Sequence, residues 1–148
     1  MHGCSVHQSS VRRDANDPQS TRLGGCEYGC IVIDDRCFAT CETRHPSGVT
    51  LQLAYRGCFL SNCRQACGVH CGNRVWPSDA CAACVDNSCC APANACATDV
   101  NCNDLVRCEA NCQDMTCDAS CRTRYPAGVT GYDAVKSCVT MSCAAMCP

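Results

Sequence analysis

Pairs of cysteines at i and i+4 are the most regular apolar signal in the chain: Cys26/Cys30, Cys37/Cys41, Cys108/Cys112 and Cys117/Cys121. That spacing puts two thiols on one helical face and predicts a mainly α-helical protein. Residues 1–22 carry no such period. They are polar, with Arg12-Arg13-Asp14 and Asn16-Asp17-Pro18, and read as a flexible arm. Ser78 stands where it would cap a helix starting at Asp79, and Asn103 where it would cap one through Leu105 to Cys112. Pro46-Ser47-Gly48 and Pro126-Ala127-Gly128 are expected to end one helix and turn the chain, leaving Thr50 and Thr130 as caps of the next. Cys30-Ile31-Val32-Ile33 is the one candidate strand.

The pattern occurs twice. Cys37, Cys41, Cys58, Cys63 and Cys67 superpose without a gap on Cys117, Cys121, Cys138, Cys143 and Cys147. Thr43/Thr123, Arg44/Arg124, Pro46/Pro126, Gly48/Gly128 and Val49/Val129 superpose with them, and a Cys-x3-Cys pair precedes each block. Three segments follow: a polar arm at 1–22, a first cysteine-rich repeat at 23–70, and a second, longer one at 71–148. The second has an N-terminal extension with Cys81, Cys84, Cys89, Cys90, Cys96 and Cys102 that the first lacks, so the first reads as a truncated copy. With Cys71 in the second unit the units hold even numbers of cysteine, which favours a boundary there without proving it.

Composition explains why the cysteines matter. There are 22 in 148 residues, against one Trp, two Phe and four Tyr. That is the usage of a disulfide scaffold, and units with so few large side chains need staples or metal. One bridge closing a ~15-residue loop contributes about 3 kcal/mol in the chain-entropy model. The net charge is −2 with both signs interspersed and no basic stripe, so nucleic-acid binding has little support. No apolar run reaches the ~20 residues of a membrane span.

Cysteine use points to an oxidising compartment, yet Met1-His2-Gly3-Cys4-Ser5 shows no apolar signal region. Three readings are open: a methionine assigned downstream of a true signal, which is favoured; unconventional export; or a cytosolic thiolate protein that binds metal. Met1-His2-Gly3-Cys4-Ser5 also resembles the end of a bacterial lipoprotein signal, although the usual leucine is missing. In that reading Cys4 would carry a lipid anchor.

Two antiparallel helices with facing i,i+4 thiols can form nested bridges: Cys26–Cys41 with Cys30–Cys37, and Cys108–Cys121 with Cys112–Cys117. A thiolate metal site and a redox dithiol are the alternatives. The local pattern resembles the twin Cys-x3-Cys helical hairpins called α-hairpinins and coiled-coil-helix domains, with a shorter spacing between motifs. The cysteine richness is similar to that of bacterial copper-storage four-helix bundles, which would imply Cu(I) on thiolates. Those bundles need long helices, whereas this chain is interrupted at Pro46, Pro77, Pro92 and Pro126. A zinc site from Cys67, Cys71, Cys81 and Cys84, with His70 nearby, is a further option of loose spacing. His45 has Tyr125 as its counterpart, which argues against a catalytic role, and no nucleophilic triad or phosphate loop is visible. Arg44 and Arg124 recur before the Pro-x-Gly turns and are expected to bond helix C-terminal carbonyls. Trp76 is expected to pack between the units.

Cys81-x2-Cys84-x4-Cys89-Cys90, with Tyr125-Pro126-x-Gly128 and the cysteines after it, resembles cysteine-rich exported proteins and lipoproteins of unknown function from myxobacteria-like bacteria. The resemblance implies export and a helical disulfide fold, and no activity. The expectation is therefore a small, disulfide-rich, mainly α fold of two tandem helical-hairpin units with irregular loops. Cys26, Cys30, Cys37, Cys41, Cys58, Cys63, Cys67, Cys108, Cys112, Cys117, Cys121, Cys138, Cys143 and Cys147 are expected in structural bridges. The expected function is a secreted, non-enzymatic structural or binding protein without cofactor, partnered by itself or an extracellular protein. The alternative is a Cu(I)/Zn(II) thiolate storage protein.

Overall fold

The computed structural model describes residues 18–30 and 35–148. They form eight α-helices: α1 (Pro18–Tyr28), α2 (Asp35–Arg44), α3 (Pro46–Asn62), α4 (Asp79–Ser88), α5 (Cys90–Ala97), α6 (Val100–Glu109), α7 (Met115–Arg124) and α8 (Val129–Ser142). Single 3-10 turns lie at Gln65–Cys67, Cys71–Asn73 and Pro126–Gly128. No strand occurs among the described residues. The candidate strand falls mostly on residues 31–34 and Cys4 on residues 1–17, both outside them.

Helix starts follow local chemistry. Ser78, Asp99 and Asp114 each accept a bond from the N–H three residues on, at 3.1, 2.8 and 2.8 Å. The receiving residues, Cys81, Cys102 and Cys117, are all bridged, so each cap fixes the backbone of a disulfide cysteine. Asn103 is not a cap: Asp99 opens α6 four residues earlier. Pro18 opens α1, so residues 18–22 belong to a helix and not to the arm. Pro46 likewise opens α3, because proline suits the first helical position. Thr50 therefore lies inside α3, donating to the Pro46 carbonyl at 3.3 Å, instead of capping it.

Two glycines set how closely helices approach. A Cβ on Gly48 would sit 2.6 Å from the Gln19 carbonyl oxygen of α1. A Cβ on Gly128 would meet the Asn101 carbonyl oxygen of α6 even more closely. The Pro-x-Gly segments thus bring α3 onto α1, and the α8 approach onto α6, at matching places. Leu23 of α1 and Leu105 of α6 are fully buried, at 1% and 0% exposure.

The core is small and sulfur-rich. One cluster joins Cys71, Cys81, Val85, Cys89, Ala93 and Cys143. A second joins Leu105, Cys108, Cys121 and Tyr125. A third, of Cys96, Cys102 and Val135, shares Trp76 and Val139 with the first. Trp76 therefore packs within the second unit, its indole N–H donating to the Cys71 carbonyl at 3.3 Å. Among the described residues no helix is long and apolar enough to cross a membrane.

Candidate functional site

Nine disulfides organise the described residues. At the α1–α2 hairpin the bridges are Cys26–Cys41 and Cys30–Cys37. At the α6–α7 hairpin they are Cys108–Cys121 and Cys112–Cys117. Both pairs are nested; Cys26 and Cys108 lie on α1 and α6, whereas Cys30 and Cys112 lie just past the ends of those helices and not on the helical face that the i,i+4 spacing predicts. Neighbouring bridges nearly touch: the Cys30 and Cys41 sulfurs lie 3.8 Å apart, and those of Cys112 and Cys121 lie 3.6 Å apart. These sulfur groupings have ligand-like spacing, but every sulfur in them is already bonded to another.

A ladder of three bridges joins α4 and the residue just after it to α8 and the turn that follows it. Cys81 pairs with Cys147, Cys84 with Cys143, and Cys89 with Cys138, at sequence separations of 66, 59 and 49. The descending order makes the two segments antiparallel. Cys71–Cys90 anchors the turn after α3 to α5, and Cys96–Cys102 closes the bend from α5 to α6. The four cysteines considered for zinc are not gathered. Cys71, Cys81 and Cys84 sit in three different bridges, while Cys67 is an exposed thiol.

The repeat pattern predicts bridges at Cys58, Cys63 and Cys67; among the described residues none of the nine bridges includes them, and Cys58 and Cys67 are thiols. Their counterparts Cys138, Cys143 and Cys147 find partners because α4 lies alongside α8. Among the described residues the first unit has no helix in the place of α4.

Helices α2 and α3 meet α5 and α6 through a polar seam that sequence reasoning missed. Arg107 of α6 binds Glu42 of α2 and Asp104 of its own helix, both at 3.1 Å, and its guanidinium lies 4.3 Å from the Phe38 ring centre. The Asn103 amide oxygen, turned toward them, accepts from Arg56 and Arg107 at 3.2 Å. Arg56 of α3 also donates to the Ala97 carbonyl at 2.8 Å. Asp104 is pushed up to about 8, first by burial and then by the charge of Glu42 and a hydrogen bond with it, with Arg107 opposing. Two carboxyls sharing a buried site favour one proton between them. The pair borders a cleft of about 380 Å³ beside Val49 and Tyr125. Separately, Asp86 is held by Arg64 at 2.9 Å, His70 at 2.9 Å and the Cys71 N–H at 2.7 Å. Those bonds hold it below the usual carboxylate range, overcoming its burial.

Glu109, with 4% of its side chain exposed, takes Arg122 at 3.1 Å and Lys136 at 3.2 Å. Burial, then Glu109, pushes the Tyr132 phenol up to about 12. Arg124 approaches the Cys108 sulfur at 3.7 Å, and its counterpart Arg44 is exposed. His45 is half-buried at the start of α3.

The arrangement binds helices to one another through sulfur and buried ion pairs, and it leaves thiols on one unit. Comparison with protein-family models, with curated proteins and with solved structures gives no match to this chain.

Proposed function

We propose that the protein is a non-enzymatic scaffold of an oxidising, extracytoplasmic space, built to hold a binding surface rigid. The observation that carries this is the core itself. Nine of its buried apolar positions are bridged cysteines, among them Cys71, Cys81, Cys89 and Cys143. Such a core exists only where disulfides persist, and glutathione-reduced compartments oppose that. The buried carboxylates are paired with arginine or lysine, which is what a structural network does with charge. The lack of a helix able to span a membrane among the described residues is compatible with a protein in aqueous surroundings.

The test is the oxidation state in the producing organism. Cells and medium are acid-quenched and alkylated, and the chain is located by mass spectrometry. A bridged chain outside the cytoplasm supports the proposal. A chain found in the cytoplasm with its thiols reduced, carrying copper or zinc under native conditions, refutes it in favour of thiolate storage.

A further inference from the structure

We infer that the seam between α2–α3 and α5–α6 is a proton-operated latch: the first unit (residues 18–67) stays docked on residues 71–148 while Glu42 and Asp104 hold one proton between them, and it undocks more readily as that proton is lost. The disulfides leave this boundary unstapled. Seven bridges, from Cys71–Cys90 to Cys112–Cys117, use all fourteen cysteines after residue 70, so none is left to reach the first unit. The backbone of residues 68–70 joins the two units, and docking beyond it rests on side-chain contacts.

The charged groups that act on one another here are Glu27 of α1, Glu42 of α2 and Arg56 of α3 on the first unit, and Asp104 and Arg107 of α6 on the second. Tyr125, after α7, adds a phenol to the cleft beside them. Three carboxyls thus meet two guanidiniums, and one retained proton balances the charge. Asp104, 5% exposed and hydrogen-bonded to Glu42, 8% exposed, is the carboxyl that keeps it. Losing that proton leaves an uncompensated negative charge in a site largely closed to water, which costs far more docked than undocked. α3 adds apolar contact on the same side. A Cβ on Gly57 would touch the Thr98 methyl at 3.6 Å, and Leu60, one turn beyond Arg56, is 3% exposed. A second clamp crosses the boundary where Arg64 meets Asp86 at 2.9 Å, with His70 on the same carboxyl. Asp86 is held below the usual carboxylate range, so it stays ionised from mildly acid pH upward. Docked, Asp104 is raised to about 8; undocked, it is a solvated carboxyl of about 4. The undocked fraction therefore climbs about tenfold per pH unit between those values and levels off above them.

The latch moves the first unit and leaves the stapled second unit as it is, and it does not depend on where the protein resides. The oxidised full chain, its nine bridges confirmed by mapping, is digested with thermolysin at pH 5.5, 6.5 and 7.5. Each rate is divided by that of a synthetic peptide of residues 46–62 at the same pH. Proteolysis reads the open fraction when reclosing outpaces cleavage. The expected result is cleavage within α3 whose relative rate rises at least tenfold from pH 5.5 to 7.5, with residues 71–148 uncut. Asp104→Asn, which can still donate to Glu42, should hold that rise below twofold. Glu42→Gln should do the same, and carries the test if Asp104→Asn fails to fold. Three results overturn the inference. These are a flat profile in the unaltered chain, a rise that persists in both variants and so traces to His70, and cuts that spread to α4 and α8 at the same rate, which is global unfolding.

Discussion

Removing the middle rung of the α4–α8 ladder tests how the bridges stabilise the fold. Cys84 and Cys143 are 59 residues apart, and an isolated loop of that size would contribute about 4 kcal/mol in the chain-entropy model. The rung is not isolated. Cys81–Cys147 and Cys89–Cys138 flank it, so in the unfolded chain it closes only small rings of about 10 residues, worth roughly 2.5 kcal/mol. Cys143 is fully buried, and losing its sulfur to alanine adds about 1 kcal/mol of lost packing. The double variant Cys84→Ala with Cys143→Ala should therefore lose about 3.5 kcal/mol, or roughly 10 °C in Tm for a chain of this size. Removing all three rungs should cost more than three times the single rung's entropic share, because the last removal also frees the long loop. Thermal unfolding followed by far-UV circular dichroism, without reductant, reads both numbers. A triple removal no worse than the single one, or a single removal that abolishes folding, would refute the reasoning.

Asp104, raised to about 8 mainly by burial, predicts a pH dependence opposite to that of most carboxylates. A raised folded pKa gives stability that is complete below the unfolded value near 4 and is lost as pH climbs through about 8; Asp104→Asn should flatten that decline in Tm scans from pH 5 to 9, and an unchanged slope contradicts the assignment. Gly48→Ala forces a Cβ to within 2.6 Å of a backbone oxygen and should cost roughly 1–3 kcal/mol, read by denaturant melts, whereas Gly24→Ala, with nothing near, should cost little. Asp99→Ala removes the α6 cap and should lose about 1 kcal/mol. In native protein without reductant, iodoacetamide should label Cys67 quickly and Cys58 more slowly, and label at any of the eighteen bridged positions contradicts the pairing.

The hairpins were legible because their geometry is local: thiols four residues apart on the facing arms of a short helical hairpin leave little freedom over pairing, even though Cys30 and Cys112 lie just past the helix ends. The Ser78 cap was legible for the same reason. Asn103 was misread as a cap because Asp99 was overlooked. The signal was there, since Ser78, Asp99 and Asp114 each stand three residues before a bridged cysteine. The α4–α8 ladder was not legible. It depends on the tertiary placement of α4 across separations of 49 to 66 residues, and cysteine spacing carries no such information. The repeat pattern alone predicts bridges at Cys58 and Cys67, but residues 1–22 carry no row of cysteines like Cys81, Cys84 and Cys89 to pair with them. The Glu42–Asp104–Arg107 seam joins residues on α2 and α6 with no repeating spacing, so only the packed structure reveals it.

The most direct test of the account is peptide mapping of the unreduced, alkylated chain. It should recover nine bridges, including Cys81–Cys147, Cys84–Cys143 and Cys89–Cys138, with Cys58 and Cys67 alkylated. Alkylation at all 22 cysteines, or bridges from Cys138 and Cys147 to cysteines other than Cys89 and Cys81, would contradict it.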